Sequence, residues 1–184
     1  FEPMDFGGLL GGAPGAGTIG GALAANLSGP RRLKAGAARD HFLGMTAVSG
    51  RGGTFKAGGR VVKNVTGYDL CKLIAGSWGT LAAMTDVTIK VLPRAETVAT
   101  LLVLGLDDAA AVGAMTAAMG SACDVSAAAH LPAATAARMA VGALAGATAV
   151  TALRLEGVAP SVEHRRGALE VLLAPFGTLA AVDA

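Results

Sequence analysis

The chain has 184 residues, room for one ordinary domain or two small ones, and 53% of them are apolar against 15% charged. With 27 glycines and few aromatics, any core must be made of small side chains packed closely. A net charge of +2 from scattered basic residues excludes a nucleic-acid surface as a first guess.

Cys71 and Cys123 stand in no C-x-x-C pattern and predict reduced thiols in place of a disulfide framework. The longest uncharged apolar run, Met139 to Leu153, falls short of the roughly 20 residues a bilayer span needs and reads as a core segment. No signal-peptide pattern opens the chain. Phe1-Glu2-Pro3 reads as the middle of a loop, as in a fragment.

Gly15-Ala16-Gly17-Thr18-Ile19-Gly20 matches G-x-G-x-x-G, the dinucleotide fingerprint. That motif needs a strand before it and an acid at the end of a second strand about twenty residues on. Gly7 to Pro14 is no strand, and Asp40 follows Ala-Gly-Ala-Ala-Arg, so a Rossmann unit is rejected. Thr18 instead predicts the N-cap of a helix from Ile19 to about Asn26. Gly20 and Gly21 then weaken its first turn, an arrangement that suits close approach of a phosphate, ribose or flavin edge. Tight helix–sheet packing explains the same glycines equally well, and both readings stay open.

Asn26-Leu27-Ser28-Gly29-Pro30 is turn chemistry, with Asn26 and Ser28 suited either to a ligand or to capping. Arg31, Arg32, Lys34 and Arg39 read as a solvated loop in preference to an anion-attracting rim. Phe42 to Ser49 and Thr54 to Ala57 predict two strands joined through Gly50–Gly53. Val61, Val62 and Val65 predict a further short strand. Thr66 or Asp69 is the expected cap of a helix over Tyr68 to Ala75, with Leu70, Leu73 and Ile74 inward and Lys72 outside. Gly76 stops it, and Ser77-Trp78-Gly79-Thr80-Leu81 forms a turn. Thr85, Val87, Ile89 and Val91 alternate with Asp86, Thr88 and Lys90, which predicts a half-buried antiparallel strand ended by Pro93.

These segments together resemble a known family. Thr18-Ile19-Gly20-Gly21 with Ala24, Asn26, Ser28 and Gly29, then Arg39-Asp40 with Leu43-Gly44, Gly59-x-Val61-Val62-Lys63-Asn64-Val65-x-Gly67-Tyr68-Asp69-Leu70, and Gly76-Ser77-x-Gly79-Thr80-Leu81 form its running pattern. The pattern is similar to the second half of the FAD-binding domain in the vanillyl-alcohol-oxidase/PCMH-type flavoprotein superfamily. Within it, the wording GGRVVKNVTGYDL, with SGPRR upstream and RLEG at 154–157, is most similar to the FAD-binding E subunits of bacterial glycolate oxidases.

The resemblance implies FAD as the cofactor, held along Thr18, Gly20, Gly21, Ala25, Asn26, Leu27 and Ser28, and by Gly79, Thr80, Leu81, Ala83 and Met84. It implies a first Gly-rich pyrophosphate loop ahead of residue 1. It also carries Gly where this chain has Ala82, which loosens one close backbone approach. The implied partners are a second flavoprotein subunit and an iron–sulfur subunit, with a small 2-hydroxy acid as substrate. The implied location is cytoplasmic, with any membrane association made through partner subunits.

Arg94-Ala95-Glu96 reads as a linker, dividing the chain into residues 1–95 and 96–184. Beyond it, strands over Thr97–Leu106, Cys123–Ala129 and Ala147–Glu156 alternate with helices over Asp107–Met119 and Ser161–Ala174, and a helical patch runs from Pro132 to Arg138. The second helix turns Val162, Leu169, Leu172 and Leu173 inward. The expected class is α+β: part of an FAD-binding domain, then a ferredoxin-like or split βαβ cap that the chain ends before closing. His41, His130 and His164 have no metal-ligand spacing, so no metal site is assigned. Ser28 lies in no G-x-S-x-G elbow. Arg154 and Glu156 read as an ordinary ion pair on one strand face.

The leading expectation is an FAD-binding subunit of a glycolate or other 2-hydroxy-acid oxidoreductase that passes electrons to partner subunits. A self-sufficient FAD oxidase of D-lactate dehydrogenase type and a flavin-free structural subunit are the alternatives. No residue presents itself as a general base, and the catalytic residues stay unassigned.

Overall fold

A computed structural model describes residues 12–13, 15–63, 67–138 and 148–183. The chain divides into two compact units, Phe1–Pro93 and Arg94–Ala184, each built on its own antiparallel sheet. Among the described residues no helix is long and apolar enough to cross a membrane.

In the first unit, α1 (Ile19–Ala24) starts at Thr18, whose Oγ1 accepts from the Gly21 N–H at 2.9 Å. The helix stops two residues short of the expected Asn26 because Asn26 takes a positive φ of 49°, which a right-handed helix cannot continue. The stretch read as a solvated loop forms two helical turns instead, α2 (Arg32–Ala35) and α3 (Ala38–His41). Asp40 is the cause of the second, since its Oδ2 accepts from the Ala37 N–H at 2.8 Å. His41 pins both turns: its Nε2 lies 2.8 Å from the Ala35 carbonyl and its Nδ1 3.1 Å from that of Lys90.

β1 (Phe42–Ser49) is central in the order β2-β1-β3, paired with β2 (Thr54–Gly58) and β3 (Ala82–Ile89). Gly58 ends β2 in a left-handed conformation, and a Cβ there would sit 2.1 Å from the Leu43 carbonyl oxygen. The chain leaves the sheet at that point. Val61 and Val62 are accordingly exposed and outside any strand, contrary to expectation, while Val65 and Thr66 lie outside the described residues.

α4 (Leu70–Ile74) is capped by Asp69, whose Oδ1 accepts from the Lys72 N–H at 3.1 Å. It is shorter than expected and turned differently. Cys71 and Ile74 face a core with Leu23, Phe42, Met45 and Ala82, and Leu70 packs beside it, whereas Leu73 is 61% exposed. Lys72 is half-buried, not outside, because its ammonium donates to the carbonyls of Arg39 and Phe42.

β3 also departs from simple alternation. Met84 pairs with Ala47 and Asp86 with Thr46, leaving Thr85 as an extra residue, a β-bulge. The bulge changes parity. Ala82 and Met84 pack inward before it, Val87 and Ile89 after it, and Thr85 is exposed with its hydroxyl donating to Thr46 O and Asp86 Oδ2. Val91, expected on the inner face, is 64% exposed beyond the strand's end.

The second unit has the sheet order β5-β6-β4-β7. β4 (Thr97–Leu104), α5 (Asp108–Met119) and β5 (Ala127–Leu131) are followed by α6 (Ala133–Ala136), β6 (Val150–Gly157), α7 (Ala159–Leu173) and β7 (Thr178–Asp183). This is the order and pairing of a split βαβ unit. β7 is absent from the sequence expectation, yet it supplies the fourth strand by pairing along β4. β5 begins later than expected because the backbone turns at Asp124, φ 48°.

Ala111, Ala114 and Ala118 of α5 and Val162, Leu169 and Leu173 of α7 pack on Leu101, Val103, Leu153 and Leu155. Leu172, expected inward, is 36% exposed because it lies off that stripe. Of the apolar run from Met139, residues 139–147 lie outside the described residues, while Val150 and Leu153 are buried.

Candidate functional site

The two segments marked as cofactor-binding, Thr18–Ser28 and Gly79–Met84, are far apart in sequence and are joined by backbone. α1 ends with carbonyls that have no intrahelical partner. Leu23 O accepts from the Gly76 N–H at 3.2 Å, and Ala24 O from the Trp78 N–H at 2.9 Å. The turn after α4 is thereby fastened to the C-terminal end of α1. On its other side the same segment is held by Ala38 N–H to Leu27 O at 3.0 Å and Arg39 N–H to Asn26 Oδ1 at 2.9 Å.

The turn itself is tight. Trp78 and Gly79 both have positive φ, 54° and 75°, as the centre of a primed turn requires. Thr80 closes it twice on the Ser77 carbonyl, through its N–H at 2.9 Å and its hydroxyl at 2.6 Å.

Each expected site residue can now be placed. Thr18 is the helix cap, so its hydroxyl is committed within the fold. Gly20 is half-buried and Gly21 exposed; Ala25, Asn26, Leu27 and Ser28 are half-buried. Asn26 spends its side-chain oxygen on Arg39, and Ser28 Oγ accepts from Arg32 Nη1 at 3.2 Å. Gly79, Thr80, Leu81 and Ala83 are exposed, and Met84 packs against the core. Ala82 is 5% exposed with its methyl in the core. The departure from Gly at that position therefore falls on the buried side of β3, opposite Ala83.

The described residues suit a flat, polar-edged cofactor on two counts. A Cβ placed on Gly17, Gly20 or Gly79 would meet nothing within 4 Å, so bare backbone is left open to another body. The Ser77 hydroxyl is buried with no hydrogen-bond partner among the described residues, an unsatisfied polar group at the root of the turn. Trp78 does not stand out in sequence, where it fills the open position of Gly76-Ser77-x-Gly79. Trp78 is 76% exposed. Cys71, behind the turn, is buried, and desolvation, with help from the Asp69 carboxylate, pushes its thiol above the ordinary range.

Residues 5–58 match the FAD binding domain family. This segment is similar to part of an FAD-binding domain. The chain is 48% identical over 77 residues to glycolate oxidase subunit GlcE of Escherichia coli, a match covering 42% of this chain and 22% of that protein. Over 87 residues it is 44% identical to glycolate oxidase subunit GlcD of Bacillus subtilis, covering 47% of this chain and 18% of that one. The chain thus matches less than a quarter of the length of these relatives. In fold it is similar to alkyldihydroxyacetonephosphate synthase, with a TM-score of 0.64 at 21% identity over 89% of this chain and 32% of that one.

The histidines lie outside this constellation. His41 is buried between carbonyls, His164 is exposed, and His130 contacts Thr151 Oγ1 at 2.8 Å and Asp108 at 3.4 Å in the second unit. Arg154 and Glu156 pair at 2.8 Å on β6, with Glu156 the more buried partner.

Proposed function

We propose that the chain forms one wall of the FAD site in a 2-hydroxy-acid oxidoreductase, glycolate being the favoured substrate, that hands electrons to partner subunits. The observation that carries this reading is the clamp between α1 and the Gly76–Thr80 turn. It fastens two segments that each carry an open glycine, in a chain whose residues 5–58 match an FAD-binding family.

On this reading residues 1–95 are the C-terminal part of a PCMH-type FAD-binding domain, and residues 96–184 are part of its ferredoxin-like cap. When bound, FAD supplies the electron acceptance, and the protein supplies binding and orientation. Gly20 and Gly21 admit the cofactor to the backbone, while Ala25–Ser28 and Gly79–Met84 flank it. Thr18, Asn26 and Asp69 hold those segments in place through their own hydrogen bonds. The partners are a second flavoprotein subunit and an iron–sulfur subunit, which fits relatives named as glycolate oxidase subunits. The location is cytoplasmic, with membrane association through partners.

The test uses the full-length protein with its partners. It is expected to copurify with a flavin absorbance band and to reduce an artificial acceptor with glycolate. Gly20→Val, which fills open space, is expected to lower flavin content at least about tenfold while circular dichroism stays unchanged. Absence of any flavin band from the full-length protein would sink the reading. Turnover of D-lactate by the isolated protein, with none of glycolate, would replace the proposed substrate and complex.

A further inference from the structure

We infer that the indole of Trp78 is an aromatic platform against which a planar ring of bound FAD lies. This rests on the FAD reading above and adds to it a residue that the cofactor-binding segments do not include.

The argument begins with backbone strain. Trp78 holds φ at 54°, a conformation that disfavours any residue with a bulky side chain and that Asn or Gly would adopt at little cost. Nothing in the core repays it, because the indole is 76% exposed and the hydrophobic cluster of this unit does not contain it. The backbone is nevertheless fixed. The Trp78 N–H donates to Ala24 O, and Thr80 closes the turn on Ser77. The indole is therefore presented from a rigid base. Strained backbone held by its surroundings marks functional positions more often than structural ones.

The neighbours of Trp78 define what it meets. On one side is Gly79, with open space where a Cβ would be; on the other is Ser77, with a buried hydroxyl lacking a partner among the described residues. Across the clamp lies Asn26, the other non-glycine residue of this unit among those described with positive φ. Bare backbone, an unsatisfied hydroxyl and an exposed π face together suit a flat heteroaromatic ring with polar edges. Offset stacking and exclusion of water from the ring supply the attraction.

The test is a titration of full-length apoprotein with FAD, following indole emission in the parent and in Trp78→Phe. The difference between them isolates this indole whatever other tryptophans the whole protein carries. Emission from Trp78 is expected to fall in step with flavin binding. Trp78→Ala is expected to weaken FAD affinity about tenfold, the scale of one aromatic stacking contact, and Trp78→Phe to restore most of it.

Quenching reproduced by FMN assigns the isoalloxazine, and quenching by FAD with none by FMN at saturating, dialysis-verified occupancy assigns the adenine; either supports the platform. Stoichiometric FAD binding with unchanged Trp78 emission and parental affinity in Trp78→Ala overturns the inference and leaves the FAD site standing. Failure of the parent itself to bind flavin removes the FAD reading and the platform with it. Should Trp78→Ala misfold, the emission difference between parent and Trp78→Phe still decides.

Discussion

At the residue scale, Cys71 shows how a side chain with no visible chemistry carries information about the fold. Its thiol is buried behind the turn, facing the Ala57 carbonyl at 3.8 Å, and burial raises its pKa above the unfolded value. A group shifted upward stabilises the fold fully below its unfolded pKa, about 8.5 for a thiol, and loses that contribution as pH rises through the folded value. Urea unfolding at pH 7 and pH 10 is therefore expected to show a drop in stability that is smaller in Cys71→Ala than in the parent. An equal drop in both would mean the thiol is not desolvated. Thr18 and Asn26 teach a related point. Thr18 was legible as the α1 cap and Asn26 as either a ligand or a capping group; their side-chain oxygens cap α1 and hold the Arg39 N–H.

At the element scale, the parts governed by local chemistry were readable: the Thr18 cap, the helix that starts at Asp107-Asp108, the hairpin around Gly50–Gly53 and the apolar run of β4. What the sequence concealed depends on partners distant along the chain. α4 shows this, because its five residues are too few for periodicity to choose a face. Ile74→Gln is expected to cost about 3 kcal/mol in urea unfolding, from lost burial and a stranded amide, while Leu73→Gln stays within about 0.5 kcal/mol. A reversed order would mean the helix is turned the other way.

The bulge at Thr85 was hidden for the same reason. Strict alternation from Thr85 to Val91 is a property of the strand alone, whereas the extra residue exists only opposite β1. β7 escaped notice because Ala180 and Ala181 interrupt its run, leaving Thr178 and Val182 as its β-branched residues, too few to mark a strand.

At the scale of the whole molecule, the chain divides at Pro93 into two units with separate cores. The Arg94–Ala184 unit has four paired strands with two helices packed on one face. Expressed alone, it is expected to unfold cooperatively in urea with mixed α and β circular dichroism. A broad, non-cooperative transition would show that it depends on the rest of the chain. Unit Phe1–Pro93 holds a smaller core beneath a three-stranded sheet and the expected cofactor segments. Its family resemblance was readable because those segments keep their wording and spacing; the join between them was not, since main-chain hydrogen bonds leave no signature in side-chain identity.

That join has a consequence for the order in which the protein is made. α1 is only six residues long, below the length at which a helix persists alone in water. Ala22 O and Leu23 O have local donors in Leu27 and Asn26, but Leu23 O gains a second donor in Gly76, and Ala24 O its donor in Trp78, about fifty residues later. On the ribosome the TIGG segment emerges before the turn that fastens its C-terminal end has been synthesised. The join is completed only once both segments exist, and a pause in translation between them lengthens the life of an open, glycine-rich chain.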